Sequence, residues 1–159
     1  MPMITKNIAL ILLFFISGNV VAVQGYVTIT EPWIRSAPPN APMLGAFMNL
    51  KNNSDKEIKL VKVHAEGFKR IEMHRTINSE GMMMMVKQEY IPIPAHELVE
   101  LKPGSWHIMM INPDSVPIEG SSVMINLLFD DGSTQMVHAA VKSSKMMMHN
   151  HDTMQMNKQ

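Results

Sequence analysis

From Tyr26 onward, apolar and polar residues alternate in short runs separated by turn-forming residues, the period-two signature of strands buried on one face. The alternation predicts strands over Tyr26–Thr30, Ala46–Lys51, Ile58–His64, Lys69–Thr76, Met82–Glu89, Glu97–Leu101, His107–Ile111, Ser122–Phe129 and Thr134–Val141. Between them lie segments with turn chemistry, such as Ala37-Pro38-Pro39-Asn40, Asn78-Ser79-Glu80-Gly81, Lys102-Pro103-Gly104 and Asp130-Asp131-Gly132-Ser133. About nine strands at this spacing, with no stretch of helical periodicity, predict an all-β antiparallel sandwich.

Both ends break this pattern. Lys6 precedes an unbroken apolar run, Ile8–Ile16, followed by small and β-branched residues through Ala22, the layout of a signal peptide cut after Ala22 or slightly later, after Gly25. The run falls short of the roughly 20 apolar residues that span a bilayer, so no stable membrane insertion is expected after cleavage. The expected organisation is therefore a signal peptide over 1–22, a sandwich domain over 23–141 and a polar Met- and His-rich tail over 142–159.

Composition changes the picture in one respect. Lys plus Arg and Asp plus Glu number 14 each, and no basic stretch interleaved with aromatics offers itself to phosphates, so nucleic acid is not an expected partner. The outliers are 18 methionines and no cysteine. The missing cysteine excludes a disulfide scaffold, a thiol redox site, a Cys nucleophile, a Cys-based zinc site and a lipid-carrying lipobox cysteine. No phosphate loop, nucleophile elbow or His-Glu-x-x-His segment is present, and no enzymatic activity is expected.

Abundant thioether sulfur directs attention to soft metals. His107 and Met109 alternate onto the same face of a predicted strand, so an imidazole nitrogen and a thioether sulfur can meet one ion. An isolated His-x-Met is more often an ordinary strand with a tolerated histidine. Its setting includes Met82-Met83-Met84-Met85, a run that cannot be all core in a two-faced strand: one pair can pack while the other faces a ligand. A hairpin through Asn78–Gly81 would bring Met73-His74 beside that run, with Met73 and His74 on opposite faces.

Together, His74, ten residues, Met85, twenty-one residues, His107, one residue and Met109 form a pattern that resembles the periplasmic copper chaperones of the PCuAC family, which serve cytochrome c oxidase assembly. Glu31–Pro42 is similar to the family's N-terminal segment, Glu72–Thr76 to its first ligand strand and Leu101–Met109 to its second. The resemblance implies a cupredoxin-like β-sandwich with Greek-key connections, binding Cu(I) through His74, Met85, His107 and Met109. It further implies a periplasmic location and delivery of copper to a respiratory oxidase subunit or another copper chaperone. The ligand set is chemically sound without the family, since Cu(I) is soft and tolerates irregular coordination by thioether and imidazole.

This chain is denser in methionine before the second ligand pair than the family pattern, so Met83 is an alternative to Met85, and Met73 is a further candidate donor. In the tail, Met146, Met147, Met148, His149, His151, Met154 and Met156 are candidate secondary donors for Cu(I) or, through imidazole, Cu(II). That tail supports a second reading, copper sequestration or resistance without a docking partner. A third reading, metal-assisted hydrolysis with Glu72 as base, ranks last because sulfur donors suit water activation poorly. Trp33 and Trp106 are expected as core or rim aromatics, with Trp106 also placed to shield the ion from beside His107, whereas His64, His96 and His138 fall outside the pattern and carry no assigned role.

Overall fold

A computed structural model describes residues 25–143. The signal-peptide segment and the tail donors Met146, Met147, Met148, His149, His151, Met154 and Met156 lie outside the described residues. The described chain is all-β, with ten strands: β1 (Val27–Arg35), β2 (Met43–Asn52), β3 (Ile58–His64), β4 (Phe68–Ser79), β5 (Met82–Gln88), β6 (Ile91–Ile93), β7 (Leu98–Leu101), β8 (Trp106–Pro113), β9 (Ser122–Phe129) and β10 (Thr134–Lys142). Among the described residues no helix is long and apolar enough to cross a membrane.

Hydrogen bonding runs through the strands in the order β5-β4-β8-β7-β2-β1-β10-β9-β3-β6. Alternation delivers one side of this sheet to a single core in which Ile34, Leu50, Leu60, Ile108, Met110, Ile125, Leu127, Phe129 and Val141 are almost wholly buried. The fold is the cupredoxin-like sandwich expected, and antiparallel apart from two pairings. β1 runs parallel to β10 through Trp33–Arg35, and β7 meets β8 in parallel at Leu101 and Trp106.

Four strand predictions need correction: β2 begins at Met43 rather than Ala46, and three others depart for a local reason. β1 does not stop at Thr30: it passes Glu31-Pro32 through a register shift, with Glu31 at φ 53°, and resumes at Trp33. A bulge absorbs the missing proline N–H that otherwise ends a strand. Ile91-Pro92-Ile93, too short to show alternation, forms the edge strand β6, a position where proline is tolerated. β4 continues three residues beyond Thr76 to Ser79, leaving only Glu80-Gly81 as the turn. Both turn residues have positive φ, 52° and 83°, the geometry of a two-residue hairpin whose twist matches its strands. Asn78 Oδ1 accepts the Gly81 N–H at 3.0 Å and fixes the reversal.

The β4–β5 hairpin matters most for function. β8 supports β4 only as far as the Arg75–Trp106 pair, so Thr76–Met85 projects beyond it. β5 is a sheet edge, and Met82, Met83, Met84 and Met85 are all exposed, at 65, 63, 48 and 63%. Neither pair is core, which corrects the expectation that one packs inward.

Candidate metal centre

Cross-strand register assembles the site. His74 pairs directly with His107, Glu72 with Met109 and Thr76 with Met85. Directly opposed residues share a face, so His74, His107, Met109, Met85 and Glu72 all lie on one side of β5-β4-β8. The two imidazoles stand with ring centroids 5.7 Å apart at an interplanar angle of 39°. Met85 and Met109 flank this pair from opposite corners.

Met83 is on the same face but opposite Asn78, four residues along β4 from His74, or about 13 Å of strand. Met85, diagonal to His74 at a typical 7–8 Å, is the better placed of the two. Met73 faces the other way and packs in the core at 7% exposure, apart from the imidazoles. Trp106 also lies on that opposite face, paired with Arg75, whose guanidinium carbon sits 5.2 Å from the indole centroid. It packs against the core, as expected of a core or rim aromatic, and does not shield the histidines, because adjacent strand residues point apart.

The histidines are oriented by partners on their other ring nitrogens. His107 Nδ1 lies 3.0 Å from the Ser105 carbonyl oxygen, which only accepts, so Nδ1 carries the proton and donates. The same carbonyl accepts the Thr76 N–H at 3.1 Å, tying the base of the hairpin to this ring. His74 Nε2 donates to Glu72 Oε2 at 2.9 Å. Glu72 is held ionised, with its pKa lowered to about 2, chiefly by the hydrogen bond from His74, then by the bond from Lys87 and the charges of Lys87 and Arg70, against an opposing burial effect. Lys87 Nζ and Arg70 Nε both reach Glu72 Oε1 at 3.0 Å.

Two nitrogens remain. His74 Nδ1 and His107 Nε2 are buried with no hydrogen-bond partner, although buried polar atoms in folded proteins are nearly always satisfied. In the neutral rings these are the lone-pair nitrogens, and each is fixed by a hydrogen bond on the far side of its ring, the arrangement that orients metal-ligating histidine. The orphaned pair fits an ion. Among the described residues no group of three or more His, Cys, Asp or Glu side chains is placed to hold a metal.

Glu72 was legible only as an acid near His74; its role as orienter needed the hydrogen bond. The β2 side of the site went unread because the predicted strand began at Ala46, whereas β2 begins at Met43 and includes Gly45 opposite Met109. A Cβ on Gly45 would come within 2.9 Å of Phe47 Cζ, and the Phe47 ring in turn stacks on Trp33 at 4.6 Å between centroids. A glycine inside a strand pattern is the available signal of such close approach. His96 is bound to Asp55 at 2.8 Å, and His64 and His138 are exposed on β3 and β10.

Replacing Glu72 with Gln is expected to weaken metal binding about 10- to 100-fold, the usual effect of removing a ligand's outer partner, as read by competition titration. The same substitution has an acid signature. A depressed folded-state pKa contributes stability that is full above the ordinary value of 4.5 and is lost as pH falls through about 2. Thermal melts should show wild type losing this increment across that window and Glu72→Gln lacking it. Parallel curves would remove Glu72 from the account.

The β-sandwich has the fold of solved PCuAC domains. The copper-bound PCuAC domain from PmoF2 superposes with TM-score 0.65 over 75% of this chain and 94% of its own, at 20% identity. The Cu(I) form of DR1885 from Deinococcus radiodurans superposes with TM-score 0.61 over 80% of this chain and 84% of its own, at 27% identity. The chain itself belongs to the LpqE-like family, described as "Putative lipoprotein LpqE-like", whose match covers residues 27–141. A relative from Rickettsia prowazekii, the uncharacterized protein RP573, is 31% identical over 79% of this chain and 71% of its own.

Proposed function

We propose that this protein is an exported copper carrier that binds one Cu(I) through His74, His107, Met109 and Met85 and passes it to a copper-accepting protein. The observation that carries the reading is the pair of buried, partnerless nitrogens, His74 Nδ1 and His107 Nε2, on adjacent strands and on the face that also holds Met85 and Met109. The copper-bound forms of the PmoF2 domain and DR1885 support it.

Imidazole and thioether donors match a soft monovalent ion, and with no thiolate in the set the bound charge is left largely uncompensated. Affinity is therefore moderate, and exchange into a partner's thiolate site runs downhill. The exposure of Met85, at 63%, leaves one side of the site open to that partner. The acceptor proposed is a respiratory oxidase subunit or another copper chaperone in the periplasm, and the protein acts as a carrier rather than a catalyst.

The test is anaerobic Cu(I) competition against a chromophoric chelator, with the exported chain and a version ending at Ser144. One tight copper in both supports the carrier reading. Tight binding that needs the tail, at more than one copper per chain, would replace it with sequestration by Met146–Met156.

A further inference from the structure

β5 holds more thioether sulfur than one ion needs. Its four consecutive methionines are all largely in water. Apolar side chains left exposed forgo about 25 cal/mol per Å2 of burial, so core packing does not explain the run. Alternation sorts the four. Met83 and Met85 share the face of His74 and His107, whereas Met84 pairs with Ile77 and Met82 with Ser79 on the other face. On the histidine face, Met83 is the next sulfur outward from Met85 toward the Glu80-Gly81 turn, on the part of the hairpin that β8 does not flank.

We propose that Met83 is a capture and release ligand, a thioether one step outside the Cu(I) site that takes the ion from a donor and hands it inward to Met85 and the histidines. The inference rests on the carrier reading above and adds a route to its site. Met83 is too far along the strand to share an ion with His74 in the settled site. It stands about 7 Å from Met85, and methionine's flexible, unbranched side chain lets both sulfurs meet one ion in passing. In the exchange, a bond from copper to the donor's ligand breaks as the bond to Met83 sulfur forms, and this bond in turn gives way to the Met85 and imidazole bonds. Copper stays Cu(I), so no electron acceptor is needed. The reverse order releases the ion toward an acceptor approaching the hairpin tip.

β5 supplies its own control, because Met82 and Met84 are the same residue type on the same exposed strand and point the other way. Leucine keeps the apolar volume and removes the sulfur. The experiment is anaerobic stopped-flow transfer of Cu(I) from a chromophoric chelator complex into the full exported chain, with equilibrium competition on the same samples. Wild type, Met83→Leu, Met82→Leu and Met85→Leu are compared.

Met83→Leu is expected to keep the equilibrium affinity within about twofold while slowing uptake about tenfold, a barrier change without a ground-state change. Met82→Leu is expected to change neither, and Met85→Leu to lower the affinity. Unchanged rates in Met83→Leu, equal slowing in Met82→Leu, or an affinity loss in Met83→Leu matching that of Met85→Leu would each overturn the capture role. Failure of wild type to take up tight copper would instead overturn the carrier reading, before the variants are compared.

Discussion

His107→Ala is expected to abolish tight Cu(I) binding while leaving the metal-free fold intact. The ring is buried at 6% exposure, and its Nε2 has no partner in the protein, so the substitution removes a donor together with an unsatisfied polar atom. Loss of a direct ligand should exceed the about 10- to 100-fold effect of losing an outer-shell partner. Melting temperature provides a second reading. At a free copper concentration 100 times Kd, wild type gains about 2.7 kcal/mol, roughly 10 °C for a domain of this size, and the variant gains nothing. Retention of both the affinity and the copper-dependent rise would remove His107 from the site.

Ile108→Ala should do the reverse. Ile108 is fully buried between His107 and Met109 in sequence, faces the core from the opposite side of β8 and pairs with Met73 and Ala46. Truncating a buried isoleucine costs about 2–5 kcal/mol through lost transfer energy and the cavity left behind. Denaturant unfolding of the copper-free protein should show that loss in the midpoint, whereas competition at a temperature where the variant stays folded should show affinity close to wild type. Adjacent residues on one strand would then separate into a ligand whose loss spares the fold and a core residue whose loss spares the site. A cost below about 1 kcal/mol would mean that this part of the core is looser than its burial indicates.

The sequence carried most of the fold because period-two alternation states which face of each strand is buried. Where it failed, a local device replaced alternation: the bulge at Glu31-Pro32, the three-residue edge strand at Ile91–Ile93, and the two-residue turn at Glu80-Gly81. His74, Met85, His107 and Met109 were legible as a spaced set, and the register places them on one face. What orients them was not legible. The Ser105 carbonyl is a backbone atom, and Glu72 resembles any surface acid until its bonds to His74, Lys87 and Arg70 are seen. The exposure of the methionine run depends on β5 lying at the sheet edge and on β8 beginning only at Trp106, and nothing within Met82–Met85 encodes either.

The methionines of this chain differ sharply in shelter, and that difference governs how the protein ages. Met48, Met73 and Met110 are sealed in the core, while the β5 methionines stand in water. Oxidants convert exposed thioethers to sulfoxides, which are polar and carry an oxygen on the sulfur that a soft ion would bind. Such damage would fall on the β5 methionines, along with the exposed Met43, Met124 and Met136, and leave the sandwich standing. On the carrier reading, the outcome would be a folded protein that no longer loads or unloads, repairable because methionine sulfoxide reductases reverse the lesion, where an oxidised core methionine would disrupt the packing around it.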